Sequence, residues 1–275
     1  MKQYMNLKMV QNEEKRILKE LIRFLEENDI QYFIWAGSFL GAVRHNGFIP
    51  WDDDIDIAIS RIEYEKLISI LKKNNKISKD IEAIGFEIGK SDFPFIKIIN
   101  KTIELEGTQC DKNLWIDVFP LDGMPRKSKI FCFKVKILKT CFFFKRSIVR
   151  NINIDTDNFI KNQLKKMGKF LVKPFDYNKL IKKYINLCSK YNVKDCKFVA
   201  NNVWGIGEKE KFPKELLLET AKYKFEDLEV IGIKNYDKWL NIRYGDYMQL
   251  PPEEERVTHE FEAWRVEKND KEIKE

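Results

Sequence analysis

Three aspartates and one Gly-Ser pair have the residue types and spacing to do chemistry. Asp54 and Asp56 stand in Asp54-Ile55-Asp56-Ile57-Ala58-Ile59-Ser60, a run whose alternation predicts a strand over 54–60. Successive side chains of a strand leave opposite faces. The two carboxylates therefore share one face about 7 Å apart, while Ile55, Ile57 and Ile59 turn to a core. Such a pair repels unless a cation lies between them, and it suits a pair of hard divalent ions about 4 Å apart with oxygen ligands. The isoleucines fix the register, because a one-residue slip would push both acids into the core. The plainer alternative is an exposed edge strand on which charge alternates with isoleucine. A calcium loop fits poorly: counted from Asp52, the sixth position is Ile57 where a glycine is needed. Asp52 is read as a possible helper of the pair, and Asp53 as solvated and pointing away.

Gly37-Ser38 lies just upstream, between an expected strand and an expected helix. Glycine lets a backbone approach a ligand closely, and a helix N-terminus offers unpaired N–H groups to a phosphate. A simple helix cap is the competing reading, and no Gly-Lys-Ser/Thr follows to make a P-loop. The third acid, Asp117, sits in Trp115-Ile116-Asp117-Val118-Phe119. A carboxylate among large apolar residues is costly to bury unless it is paired or metal-bound. A strand-end residue facing water is the alternative.

Around these residues the periodicity predicts a helix from Val10 to Ile30, a short strand over Gln31–Ala36, a helix over Phe39–His45 with Ser38 near its cap, and a helix over Ile62–Lys73. Further strands are expected at Ile81–Ile88, Phe95–Asn100, Ile103–Glu106 and Leu114–Phe119. Past Pro125 the character changes: Ile130–Val149, Phe159–Leu171 and Tyr177–Tyr191 read as mostly basic helices. Tyr223–Ile233 reads as one or two strands and Tyr236–Tyr244 as a last helix, with a charged tail fraying after Trp264. The fold class expected is α/β (α+β), a mixed-sheet core with an added helical region. The division expected is a catalytic core over 1–125 and a mostly helical basic region with a C-terminal segment over 126–275.

With 44% apolar residues and only 12 Gly and 8 Pro in 275 residues, the chain has the makings of a packed globule. Its net charge of +7 is unevenly spread. Residues 126–190 hold 18 Lys and Arg against three acids, a local +15, so the rest sums to −8. Such a segment suits phosphates, anionic glycans or lipid heads, or forms merely solvated helix faces. Within it, Lys129, Lys136, Lys139 and Arg146 fall roughly on one face of the helix expected over 130–149. That helix either rests on a membrane surface or covers the core while its lysines snorkel. Five cysteines without a CxxC pair and only two histidines argue against a zinc site. The N-terminus has no signal-peptide core and no run is long enough to span a membrane, so a cytoplasmic location is expected, at the inner membrane face if the basic helix docks there.

The run Gly37-Ser38-Phe39-Leu40-Gly41-Ala42-Val43-Arg44-His45-Asn46-Gly47-Phe48-Ile49-Pro50-Trp51-Asp52-Asp53-Asp54-Ile55-Asp56-Ile57 closely resembles the hallmark of the LicD family, which includes bacterial phosphocholine transferases and is related to the fukutin group. Ile116-Asp117-Val118-Phe119-Pro120-Leu121-Asp122-Gly123 is similar to its second motif. Tyr244-Gly245-Asp246-Tyr247-Met248, with Pro251-Pro252 and Arg256-Val257-Thr258-His259, is similar to its C-terminal motif. The resemblance implies a nucleotidyltransferase-like fold. It also implies transfer of a phospho-alcohol, typically phosphocholine, from a CDP-linked donor to a cell-surface glycan precursor, with Asp54, Asp56 and Asp117 as ligands of Mg2+ (or Mn2+) and Gly37-Ser38 as the phosphate contact.

The reaction expected is in-line attack by an acceptor hydroxyl on the phosphorus bearing the alcohol, with CMP leaving. Asp117 would aid removal of the hydroxyl proton. Arg44 is placed for a bidentate phosphate contact, or is a surface arginine at a turn. Arg256 and His259 would close over the donor, or form a structural clasp. Trp51, Trp115 and Tyr244 would stack on a base or cage a quaternary ammonium, or simply pack. The partners expected are a CDP-alcohol and a glycan or lipid-linked glycan, with no nucleic acid. Two rivals stay open: a nucleotidyltransferase using NTP on RNA or a protein hydroxyl, and a non-catalytic glycan-binding module.

Overall fold

A computed structural model describes residues 3–107, 112–154, 156, 158–205, 207–256, 258 and 261–266. The chain forms two units, one of residues 1–120 and 215–275, the other of residues 121–214. The expected α/β class is what the structure shows.

In the first unit, β1 (Gln3–Met5) leads into α1 (Leu7–Glu27). Asn6 caps α1, its side chain accepting the Met9 N–H at 2.9 Å. Ile17, Leu18, Leu21 and Leu25 recur at helical spacing and are wholly buried. Then come β2 (Phe33–Ile34), α2 (Ala36–His45), β3 (Asp56–Ser60), α3 (Arg61–Lys73), β4 (Ile81–Ile84), β5 (Ile96–Glu106) and β6 (Asn113–Met124), whose last residues belong to the second unit.

The second unit holds α4 (Lys129–Val149), α5 (Phe159–Val172), α6 (Tyr177–Cys188), β7 (Phe198–Ala200) and β8 (Phe212–Pro213). There β7 pairs with Asp122–Met124 of β6 and with β8. Back in the first unit follow β9 (Thr220–Phe225), β10 (Leu228–Ile233), α7 (Tyr236–Tyr244) and β11 (Glu262–Arg265). The first unit's sheet runs β1-β11-β5-β6-β3-β2, with β4 pairing to β5, while β9 and β10 form a separate hairpin.

Several elements differ from expectation. The two strands expected at 95–106 are one, β5, which passes a register shift between Asn100 and Glu104 on its way along β6. The strand expected from Gln31 shrinks to Phe33–Ile34, because α2 begins three residues early with Trp35 as its N-cap. Ala36 takes a left-handed φ of 46° where β2 turns into α2. The chain does not loosen straight after Trp264. Arg265 ends β11, and the Val266 N–H donates to Thr102 O at 2.8 Å.

The face expected to gather Lys129, Lys136, Lys139 and Arg146 on α4 is not a uniform basic surface. Arg146 is buried, and Lys139 Nζ donates to Trp204 O at 2.7 Å while lying over that indole ring. Among the described residues no helix is long and apolar enough to cross a membrane, and the four described cysteines are free.

Candidate active site

The acidic segment is held from below by its own isoleucines. Ile55, Ile57 and Ile59 are fully buried, whereas Asp52, Asp54 and Asp56 stay half-buried. The strand β3 begins at Asp56, two residues later than expected, and Asp54 lies in the approach to it. Asp53 is not solvated as expected. It is 4% exposed, drawn inward because the chain from Pro50 turns back through an Asp52 N–H to Ile49 O bond of 2.9 Å.

Ser38 is not the cap of α2. It sits in the first turn, buried, and its Oγ accepts the Asp56 N–H at 2.8 Å, tying the helix start to the second acid. The Trp35 N–H donates in turn to Asp56 O at 2.9 Å. A Cβ on Gly37 would stand 3.0 Å from Asp52 Oδ2, so a side chain there would press on that carboxylate. The start of α2 and the acids thus form one constellation, with the first N–H groups of the helix left over by its hydrogen-bonding pattern.

Asp117 reaches the same place from β6. Its N–H donates to Ile55 O at 3.1 Å, which sets the third acid beside the first two. Directly across the ladder from Asp117 is Lys97 of β5. Lys97 Nζ lies 2.9 Å from Asp117 Oδ1, an ion pair rather than a directed hydrogen bond. Lys97 is 2% exposed, and its ammonium stands over Trp115 at 4.1 Å and Phe93 at 4.6 Å from the ring centres. Trp115 therefore serves Lys97.

The electrostatics follow from this gathering. Burial first, then Asp54, Asp117 and Asp52, push the Asp56 carboxyl well above the usual carboxylate range, opposed by Lys97. Glu14, which the sequence reading passed over, behaves alike. It is 1% exposed on α1, its Oε2 has no hydrogen-bond partner, and burial followed by Asp54, Asp53, Asp52 and Asp56 raises its carboxyl strongly. One turn earlier, Gln11 Nε2 donates to Asp52 O at 2.9 Å and fastens α1 to the acidic segment.

Both missed residues left a signal. Glu14 falls on the apolar face that Val10, Ile17, Leu18 and Leu21 define. Lys97 interrupts Phe95-Ile96-Lys97-Ile98-Ile99.

The donor set has the right chemistry for a hard divalent ion: carboxylate oxygens, excess negative charge, and an orphaned buried oxygen on Glu14. It is not closed around one. Among the described residues no group of three or more acidic, His or Cys side chains is arranged to hold a metal ion, and Lys97 supplies the positive charge at Asp117.

Arg44, at the other end of α2, lines a cleft of about 360 Å³ with Trp51, Tyr244, Tyr247, Pro251 and Pro252. Its Nη1 donates to Tyr247 O at 2.8 Å and its Nε to His45 Nε2 at 2.9 Å. Burial, and then Arg44, lower the His45 imidazole, consistent with a neutral ring that accepts. Arg256 stands 5.0 Å from the centre of the Trp51 ring, with Nε donating to Pro251 O at 3.0 Å. Trp51 is joined to Asp52 by one peptide bond, so this cleft adjoins the acids. His259 lies outside the described residues. A second cleft, about 510 Å³, opens in the other unit among Phe131, Phe133, Val135 and Phe143, with Lys136 and Lys139 at its wall. It holds none of the expected site residues.

Residues 29–122 match the family described as LicD/FKTN/FKRP, nucleotidyltransferase domain, so the resemblance seen in the motifs is borne out. The chain is 27% identical over 241 residues to the lipopolysaccharide cholinephosphotransferase LicD of Haemophilus influenzae, covering 86% of this chain and 89% of that protein. It is 44% identical over 48 residues to the ribitol 5-phosphate transferase FKRP of Homo sapiens, 16% of this chain and 10% of that one. An uncharacterized protein of Rickettsia prowazekii, RP689, is 45% identical over 56 residues, about a fifth of each chain.

Proposed function

We propose, from the match of residues 29–122 to the family described as LicD/FKTN/FKRP, nucleotidyltransferase domain, that the chain is a transferase that moves a phospho-alcohol from a CDP-linked donor to a glycan hydroxyl, releasing CMP. Phosphocholine is the first alcohol to try, given the long similarity to a cholinephosphotransferase. Ribitol phosphate is the second, given the shorter one to a ribitol 5-phosphate transferase. The observation that carries the reading is that Asp56, tied by Ser38 to the start of α2, lies within electrostatic reach of Asp54, Asp117 and Asp52.

In this reading the donor diphosphate lies at the N-terminus of α2, where Gly37 keeps the backbone bare and the helix dipole favours negative charge. Ser38 already accepts from Asp56, and its hydroxyl hydrogen is left to donate to a phosphate oxygen. Asp54, Asp56 and Asp117, which are not arranged around an ion here, would have to close on Mg2+ (or Mn2+) together with the donor; when bound, the ion offsets the charge of the diphosphate. The acceptor oxygen forms a bond to the phosphorus that carries the alcohol, and the bond from that phosphorus to the bridging oxygen breaks. The electron pair leaves with CMP, and the hydroxyl proton passes to a carboxylate, for which Asp117 is the candidate. Lys97 keeps the Asp117 carboxylate in place. Arg44 and Arg256, beside the cleft next to Asp52, supply positive charge for the rest of the donor.

A donor panel tests this. CDP-choline, CDP-ethanolamine, CDP-glycerol, CDP-ribitol and plain NTPs are incubated with magnesium and a glycan acceptor, and CMP and pyrophosphate are measured. CMP from one CDP-alcohol is the expected result. Pyrophosphate from an NTP would move the protein to nucleotidyl transfer, and no turnover with any donor would favour a binding module.

A further inference from the structure

The helix α5 is amphipathic in the wrong sense for a protein surrounded by water. Phe159, Ile160, Leu164, Met167, Phe170 and Leu171 are between 55% and 74% exposed. At about 100° per residue they fill one arc of roughly 140° around the helix. The opposite side is the one turned toward the protein. Asn162 accepts from the Thr156 N–H at 2.8 Å, Lys165 Nζ donates to Ile154 O, and Val172 is buried. A Cβ on Gly168 would collide with the Phe144 ring of α4. The opposite face meets the preceding loop and Phe144 with only Val172 buried, while the large apolar face looks outward, the reverse of what burial of apolar surface dictates.

Charge says what covers that face. The sequence of α5 carries Lys161, Lys165, Lys166 and Lys169 and no acidic residue, with Lys173 directly after it. Lys161 and Lys166, both exposed, stand at the two edges of the apolar arc, where a second copy of the same face would set like charges against each other. An anionic bilayer supplies both an apolar interior for the side chains and negative headgroups for the ammonium groups beside them. Aromatic and aliphatic side chains on one face with lysines along the other is the composition of helices that lie in a membrane interface.

We propose that α5 is a membrane-docking helix that lies in the plane of an anionic lipid surface with Phe159, Leu164, Met167 and Phe170 inserted. This places the membrane contact on α5 and not on the basic face of α4 that the sequence suggested. It stands apart from the transfer reaction proposed above.

Co-sedimentation with vesicles of equal parts phosphatidylglycerol and phosphatidylcholine, against vesicles of phosphatidylcholine alone, tests it. The full chain is expected to bind the anionic vesicles, less so at high salt. The double variant Leu164→Glu/Phe170→Glu is expected to bind at least about tenfold more weakly, with its circular dichroism and melting temperature unchanged. Hydrogen–deuterium exchange on the unmodified chain gives a second reading that needs no variant: added anionic vesicles should slow exchange across 159–172. Absence of binding, binding that survives both substitutions, or protection confined to other segments would overturn the proposal. So would a dimer in sedimentation equilibrium that the double variant dissolves, because the face would then belong to a second copy.

Discussion

Lys97 and Asp117 face each other across the β5–β6 ladder, Nζ 2.9 Å from Oδ1, with the lysine under the indole of Trp115. Each is the charge that makes the other tolerable. Removing one partner of a buried pair strands the other, at a cost of about 3–5 kcal/mol, whereas removing both costs much less. Lys97→Met and Asp117→Asn should therefore each lower the unfolding free energy by about 3 kcal/mol, and the double variant should fall well short of the sum. Denaturant titrations of the four proteins measure this, and additive losses would show that the two residues do not depend on each other.

Gly41 is the position where α2 meets the loop that leads to the acids. A Cβ there would collide with the Gly47 carbonyl oxygen and stand 3.1 Å from Ile49 N, both backbone atoms that cannot swing aside. Gly41→Ala should destabilise by about 2 kcal/mol despite the better helix propensity of alanine. A thermal melt no lower than that of the parent would mean that this loop is not packed as described.

Glu14 predicts a particular pH dependence. Its carboxyl lies above the ordinary glutamate value of 4.5 in the folded chain, through burial and then the neighbouring aspartates. A carboxyl raised on folding holds its proton more tightly in the native state. Its contribution is therefore fully present below 4.5 and is lost as pH climbs from there through the raised folded value. In a chelating buffer the parent should lose stability over that rise, and Glu14→Gln, which has no proton to lose, should lose less. The gap between the two proteins should widen toward neutral pH. Parallel stability curves would exclude a buried acid at this position.

Much of the frame could be read from the sequence because local patterns decide it. The isoleucines at 55, 57 and 59 announced which way Asp54 and Asp56 face, and α7 runs over Tyr236–Tyr244 as its periodicity predicts. What escaped was set by distant partners. Nothing near Gln3–Met5 or Glu262–Arg265 says that these segments pair with each other, or that β11 then pairs with Ile103–Glu106 of β5. Ser38 looked like a cap because Ser before a helix usually is one. Only the return of the chain at Asp56 gives its hydroxyl another task.

The site was legible in part for the same reason. Alternation revealed the acids of β3 and its approach, but Glu14 comes from a helix 40 residues before Asp54, and its one local mark is a charge on an apolar face. Lys97 is marked only by interrupting a run of apolar residues. In both cases neighbours that explain the charge arrive from elsewhere in the chain.

If these acids carry out phospho-alcohol transfer, Asp56→Asn must slow it. The amide keeps the size of the side chain and relieves repulsion from Asp54, Asp117 and Asp52, so the melting temperature should hold or rise. CMP release from the preferred CDP-alcohol, with magnesium and saturating acceptor, should fall by on the order of a thousandfold. A folded Asp56→Asn protein that releases CMP at close to the parent rate would contradict the account.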